Sequence, residues 1–298
     1  MTELLQLCVA GLALGSRYAL VALGFVIIYR ATGVINFAQG GLLALGAYFA
    51  YAFANSADLP FAIAAIAAVA SCALVGAAAE PLVLRRMVGQ PVFAVIMITI
   101  GLLFIIEQVI TSIWGFDNLN LADPWGVNTF KAGDVVISEK DVWTIGLAGA
   151  ALVGFFVFFR LSKLGVAMRA VAFDQEVALA QGINVRVVVA VSWAIAGGLA
   201  ALAGLTLASG PAALSPGIGT VALVAFPAMI LGGMDSPGGA VLGGIIIGLT
   251  QSLTSGYQDD FAPWAGENLA AVMPYFVMIA ILLVRPHGLF GTPEVRRV

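Results

Sequence analysis

The chain of 298 residues is 61% hydrophobic and only 10% charged, with a mean hydropathy of +1.05 and a formal net charge of −3. Soluble domains carry about 25% charged residues, so this composition excludes an ordinary soluble domain and predicts an integral membrane protein. The single histidine, His287, excludes a multi-histidine metal site, and the absence of any glycine–lysine pair excludes a phosphate-binding P-loop. No neighbouring motifs assemble a nucleophile, a base and an acid, so a non-catalytic protein is expected. Basic stripes interleaved with aromatics are missing, which argues against nucleic-acid binding.

Apolar segments separated by polar residues follow one another along the chain. They predict one all-α membrane domain over residues 1–298, a polytopic helix bundle of about nine transmembrane segments, with eight or ten as alternatives. The short glycine-rich segments among them are candidates for broken or re-entrant helices. In chain order the predicted segments are 7–29, 34–52, 61–79, 92–114, 142–159, 187–208, 217–231, 238–253 and 269–284.

The distribution of basic residues predicts the orientation of the bundle. With nine crossings and an external N-terminus, only Lys131 and Lys140 fall outside, while Arg17 lies within a span. The C-terminus is then cytoplasmic, residues 115–141 form an external loop, and residues 160–186 form a cytoplasmic segment. The basic residues placed in the cytoplasm are Arg30, Arg85, Arg86, Arg160, Lys163, Arg169, Arg186, Arg285, Arg296 and Arg297.

The second apolar segment, in TGVINFAQGGLLALGAY at 32–48, is interrupted by two amides and two glycines, Asn36, Gln39, Gly40 and Gly41. If the helix breaks at Gly40–Gly41, the freed backbone groups must face a protein-walled or water-filled space, so the break would border a translocation pathway. The alternative is that both amides bond across helices and hold the bundle together. Under the first interpretation, leucine at either amide position impairs translocation more than assembly.

Two charged residues lie within predicted spans, Arg17 in GSRYAL and Glu107 in LLFIIEQVI. A buried charge is tolerated when an opposite charge meets it, so we expect the two residues to pair or to face a common polar cavity. The alternative is that each extends to the membrane interface or contacts a partner subunit.

Glycines four residues apart recur in three places and predict close helix packing, because they let two backbones approach each other. The pairs are Gly11 and Gly15, Gly239 and Gly243, and Gly244 and Gly248.

The segment 160–186 carries apolar residues at helical spacing, which predicts a short amphipathic helix pair that ends at Gly182. Exposed apolar residues on a cytoplasmic segment indicate a docking partner. The alternative is a helix that lies on the membrane surface.

Four stretches of the chain together carry a family resemblance. TGVINFAQGGLLALGAY, MRAVAFDQEVALAQGINV, FPAMILGGMDSPGGAVLGGIIIGL and LLVRPHGLFG resemble signatures of the permease subunits of bacterial branched-chain amino acid importers of the ABC class, and specifically the first of their two homologous permeases. The resemblance implies a heterodimer with the second permease in the bacterial inner membrane. It also implies two cytoplasmic ATPases and a periplasmic binding protein as partners, with ATP used by the ATPases and no cofactor on this chain.

The resemblance also implies site residues in the cytoplasmic segment. Glu176, Ala178 and Gly182 follow the importer pattern of Glu-Ala-Ala, three residues and Gly, and Arg169 belongs to the same ATPase-coupling segment. Small residues at Ala178 and Gly182 would let the segment approach the ATPase closely.

The resemblance has departures that leave the solute open. Many members carry histidine at the position of Gln39 and an acid at that of Gly41, and the position of Arg17 is usually neutral. The expected cargo is therefore a branched-chain or hydrophobic amino acid or a related small polar solute, such as urea, an amide or a carboxylate. The competing functions are a self-sufficient secondary transporter and a small-solute channel.

Overall fold

The computed structural model describes residues 2–87, 90–121, 123–132, 135–210, 214–261, 263–265 and 268–292, so Arg296 and Arg297 lie outside the described residues. The chain forms a helix bundle. Its helices are Thr2–Thr32 (α1), Gln39–Tyr51 (α2), Phe61–Leu82 (α3), Val92–Trp114 (α4), Glu139–Leu161 (α5), Lys163–Phe173 (α6), Gln175–Ala180 (α7), Val185–Ala208 (α8), Val221–Gly232 (α9), Pro237–Phe261 (α10) and Leu269–Val284 (α11). One antiparallel hairpin, of Thr129–Ala132 (β1) and Val135–Ser138 (β2), lies in the predicted external loop.

Among the described residues, six helices are long and apolar enough to cross a bilayer: α1, α3, α4, α5, α8 and α10. The shortest of them, α3, has 22 residues and spans about 33 Å, against a hydrocarbon core of about 30 Å. These helices confirm the predicted polytopic bundle. The count of nine crossings stays a prediction, because α2, α9 and α11 have only 13, 12 and 16 residues. Residues 238–253 were a candidate for a re-entrant helix. This prediction was wrong, because α10 runs unbroken through them for 25 residues.

The bundle has two ends of different character. At one, here called the basic end, the guanidinium of Arg30 at the end of α1 lies over the ring of Phe159 near the end of α5, and Arg169 of α6 lies over the same ring. At the opposite end, here called the loop end, the Lys140 ammonium donates to the Ser209 carbonyl after α8. The start of α5 and the end of α8 therefore share the loop end, and α6 lies at the basic end.

The longest helix contact in the bundle joins α1 and α10 through their glycines. A Cβ at Gly15 would lie 2.8 Å from the Cα of Ile245, and one at Gly248 would overlap the Cα and the backbone nitrogen of Gly15. Gly244 packs in the same way on Ala19. The two backbones thus touch, which confirms the predicted glycine packing and explains why no side chain is accommodated at these positions.

Candidate translocation site

An unwound segment, residues 33–38, separates α1 from α2. It begins at Gly33, whose φ of 73° suits glycine. Side chains accept hydrogen bonds from amides of this segment: the Phe37 N–H donates to Thr99 Oγ1 on α4 at 3.2 Å, and the Ala38 N–H donates to Asn36 Oδ1 at 3.0 Å. These bonds stabilise irregular backbone inside the bundle.

The prediction of a break at Gly40–Gly41 was wrong, because α2 already begins at Gln39. Both glycines lie in its first turn and allow close packing. A Cβ at Gly40 would lie 2.7 Å from the Gly219 carbonyl oxygen, and one at Gly41 would lie 3.2 Å from Cβ of Ile106 on α4. The irregular backbone of residues 33–38 therefore lies before Gly40 and Gly41 in the chain.

A cavity of about 500 Å³ lies beside the unwound segment. At its inner extremity it is lined by Asn36, Thr99 and Trp193, which are buried. Towards the basic end its lining includes Arg85 and Arg186, both exposed. The lining therefore extends from exposed arginines at the basic end to side chains that are buried inside the bundle.

The two amides of the sequence motif have different surroundings. Asn36 lines the cavity, and its Nδ2 has no hydrogen-bond partner within the described residues. Gln39 is fully buried, and its Nε2 donates to the Ala196 carbonyl of α8 at 3.2 Å. Gln39 also fills the space beside Gly24 of α1. The position of Asn36 fits the pathway interpretation, and that of Gln39 fits the inter-helix interpretation.

The carboxylate that meets Arg17 is Asp141, and the hypothesis that Arg17 pairs with Glu107 was wrong. Arg17 Nη2 lies 3.6 Å from Asp141 Oδ1 and donates to Thr144 Oγ1 at 3.2 Å. The reason is the packing order, since α1 lies against α5 whereas α4 packs on α2. Within the part of the chain that the structure describes, half-buried Glu107 forms no ion pair.

The predicted helix pair of the segment 160–186 is present as α6 and α7, and each helix has a side-chain cap. The Ser162 hydroxyl accepts from Gly165 N–H, and the Asp174 carboxylate accepts from the N–H groups of Glu176 and Val177. The pair ends at Gly182, whose φ of 80° is the left-handed conformation predicted for its cap.

The segment is fixed to the rest of the bundle by polar contacts. Arg169 donates to the Phe159 carbonyl at the end of α5, and Gln175 Nε2 donates to the Ala31 carbonyl of α1 at 2.9 Å. Gln175 and Leu179 of α7 also line the cavity near the basic end. A movement of α7 would therefore change the shape of the cavity mouth directly.

The segment is also amphipathic, as predicted. Ala178 is buried, while the neighbouring Val177 and Leu179 are more than half exposed, and Phe173 is 92% exposed. Glu176 is exposed and no Cβ clash surrounds Gly182. Ala178 therefore packs within this chain, and the apolar face beside it is free for a partner.

Sequence reasoning missed four residues of these sites: Thr99, Trp193, Gln175 and Asp141. Thr99 and Trp193 occur inside ordinary apolar helices, where nothing in the local pattern marks them. Asp141 was placed in an external loop, although it lies in the first turn of α5. A search for an acid at the end of each span would have found it, because a long arginine side chain can reach towards a helix end.

A helix bundle with a buried unwound segment and a cavity open at one end has the architecture of a membrane permease. Residues 7–282 match the family described as branched-chain amino acid transport system / permease component, and the chain belongs to that family. It is 30% identical to the high-affinity branched-chain amino acid transport system permease protein BraD of Pseudomonas aeruginosa, over 99% of this chain and 98% of that protein. It is 28% identical to the permease protein LivH of Escherichia coli K12, with 99% and 97% covered.

The fold is also similar to a solved structure of a different system. A chain in the structure of PsaBC from Streptococcus pneumoniae in complex with Fab superposes with a TM-score of 0.50 at 15% identity. The alignment covers 93% of this chain and 91% of that chain. At this identity the match concerns the fold alone.

Proposed function

We propose that this chain imports branched-chain amino acids as the first of two homologous permease subunits, and that separate cytoplasmic ATPases supply the energy. The observation that carries the proposal is the double role of α7. Its Gln175 and Leu179 line the cavity, while its Val177 is 55% exposed on the surface of this chain. One short helix can therefore connect an ATPase outside the membrane to the cavity inside it.

The expected partners fit the surfaces of the bundle. One of the two ATPases docks on the exposed face of α6 and α7, with Glu176 and Gly182 in the contact and with Arg169 and the buried Ala178 beside it. The second permease and lipid cover α3, α4 and α5, whose apolar spans are largely exposed within this single chain. A periplasmic binding protein docks at the loop end, on the external loop of residues 115–141.

In the bacterial inner membrane, the basic end of the bundle faces the cytoplasm and the N-terminus faces the periplasm. Arg30, Arg85, Arg160, Arg169 and Arg186 gather at or near the end that carries α6 and α7, which supports this orientation under the positive-inside rule. A secondary transporter or a channel would leave the exposed apolar face of α6 and α7 without a role.

Reconstitution tests the proposal. Proteoliposomes that contain this chain, the second permease and both ATPases should accumulate labelled leucine only when ATP lies on the ATPase side and the binding protein on the other. The chain alone should accumulate none. Uptake by the chain alone driven by an ion gradient would identify a secondary transporter, and uptake without any energy source would identify a channel. Failure of the full complex to take up leucine, isoleucine or valine would contradict the proposed cargo.

A further inference from the structure

Two residues of the cavity lining, Asn36 and Trp193, each carry a buried hydrogen-bond donor without a partner among the described residues. Asn36 Nδ2 and Trp193 Nε1 each lack an acceptor among the described residues, and both side chains are only 1% exposed. A buried donor without an acceptor costs about 1–3 kcal/mol, so two such groups on one cavity are a feature that a ligand would relieve. Both groups are donors, and the ligand atoms they require are therefore acceptors.

The charge distribution near these donors favours an anionic acceptor. Asn36 lies two residues before Ala38, the N-cap of the 13-residue helix α2, and a helix N-terminus carries a partial positive charge. The acid in the cavity lining, Glu80, is already paired with Arg85 at 2.8 Å. The inner part of the cavity thus offers donors and positive potential, while its carboxylate is occupied.

The remaining lining matches an aliphatic side chain. Val34, Val95 and Val189 are among the lining residues, and the volume of about 500 Å³ falls in the range of ligand cavities, about 300–1,000 Å³. Such a lining suits a ligand with a polar group near Asn36 and Trp193 and a branched aliphatic group near the valines.

We propose that Asn36 Nδ2 and Trp193 Nε1 bind the carboxylate of the amino acid while it passes through the cavity. Val34, Val95 and Val189 then surround the side chain of the amino acid. This inference rests on the proposed function and adds the chemical basis of recognition. Because the acid of the lining is paired, the cavity recognises the carboxylate of the cargo and not its ammonium group.

A labelling experiment tests this recognition without the binding protein. In the purified permease–ATPase complex, the native thiols are removed by Cys8→Ser and Cys72→Ala, and Val95→Cys places a new thiol on the cavity wall. Leucine should slow the reaction of this introduced thiol with a maleimide, and so should 4-methylpentanoate, which keeps the carboxylate but lacks the amine. 3-Methylbutylamine, which is leucine without its carboxyl group, should give no protection. Protection by 3-methylbutylamine equal to that by leucine would overturn the proposal.

Two substitutions then assign the donors. Asn36→Asp keeps an oxygen that accepts the hydrogen bond from the Ala38 N–H and replaces the unpaired donor by an anionic oxygen. Trp193→Phe keeps an aromatic ring but removes the indole N–H together with part of the ring system. Each should raise the leucine concentration needed for protection about tenfold or more, as loss of a hydrogen bond to a charged group predicts. The controls, Asn118→Asp and Trp264→Phe, alter exposed residues and should leave protection unchanged.

The same variants in reconstituted uptake separate this inference from the proposed function. If the wild-type complex imports leucine and both Asn36→Asp and Trp193→Phe import it at the same rate, the carboxylate site is wrong and the importer stands. If the wild-type complex with all its partners imports no branched-chain amino acid, the proposed function itself fails. Asn36→Asp preserves the hydrogen bond from the Ala38 N–H. If Trp193→Phe alone fails to fold, the Asn36→Asp variant therefore still decides the test.

Discussion

Replacing Asp141 with asparagine is expected to lower the free energy of unfolding by about 2 kcal/mol, less than for a fully buried ion pair because the Asp141 side chain is 23% exposed. The substitution keeps the shape of the side chain and removes its charge. Arg17, whose side chain is 11% exposed, then retains its hydrogen bond to Thr144 but has lost its counter-ion. Thermal denaturation of the purified permease in detergent, followed by the loss of the folded monodisperse fraction, measures the effect.

Two further variants separate the pair from a general sensitivity to lost charge. Glu107→Gln removes the acid in the middle of α4, which the sequence alone suggested as the partner of Arg17, and it should change stability by less than about 1 kcal/mol. The double variant Arg17→Met with Asp141→Leu replaces the pair by apolar groups and should recover much of the lost stability. A Glu107→Gln variant as unstable as Asp141→Asn would contradict the observed pairing.

Replacing Gly248 with alanine is expected to destabilise the bundle by about 3 kcal/mol, the upper end of the cost of overpacking. The added methyl group would overlap the backbone of Gly15, and neither helix backbone can rotate away as a side chain could. The α1–α10 contact would then have to open along its length, with loss of van der Waals contacts that lipid does not replace. The measurement is the midpoint of denaturation in detergent, compared with the wild-type chain.

The matched control is Gly149→Ala on α5, where a Cβ meets no atom within 4 Å. It adds the same methyl group to another apolar helix and should be neutral or slightly stabilising, because alanine favours a helix over glycine. Equal destabilisation by both variants would show that the cost comes from any loss of glycine and not from the contact of α1 with α10.

Helix existence and the glycine interface could be predicted because they depend on local composition. α4 begins and ends at the predicted residues, Val92 and Trp114, since Pro91 precedes it and Gly115 follows it. The glycines of the contact between α1 and α10 revealed their role through spacing alone. The extra residues of α1 and α10 beyond the predicted limits are mainly polar or charged residues at helix ends, which an apolar pattern does not include.

The partners of individual polar residues could not be predicted, because they depend on which helices pack together. Both Glu107 and Asp141 could have been the partner of Arg17. Asp141 is the partner because α1 packs against α5. The break near Asn36 was displaced for a similar reason. Its amides need the hydroxyl of Thr99, which lies 62 positions after Phe37 in the chain, and no local pattern shows that this hydroxyl is present.

The cavity, the unwound segment and α7 form one continuous arrangement. Gln175 fixes α7 to the end of α1, and α1 leads directly into the segment that carries Asn36. A displacement of α7 by an ATPase would therefore act at the mouth of the cavity and, through the end of α1, at its inner extremity. The proposed coupling between an ATPase and the cavity would act through these contacts.

The most direct test of the account is ATP-driven leucine accumulation by the reconstituted complex when the exposed face of α7 is made polar. Val177 is 55% exposed, so Val177→Asp should leave this chain folded and place a charge where the ATPase would dock. The account predicts that accumulation falls to background and that the ATPases no longer co-purify, whereas the near-isosteric Val177→Thr retains most of both. Accumulation against a gradient at the wild-type rate by the Val177→Asp complex would contradict it.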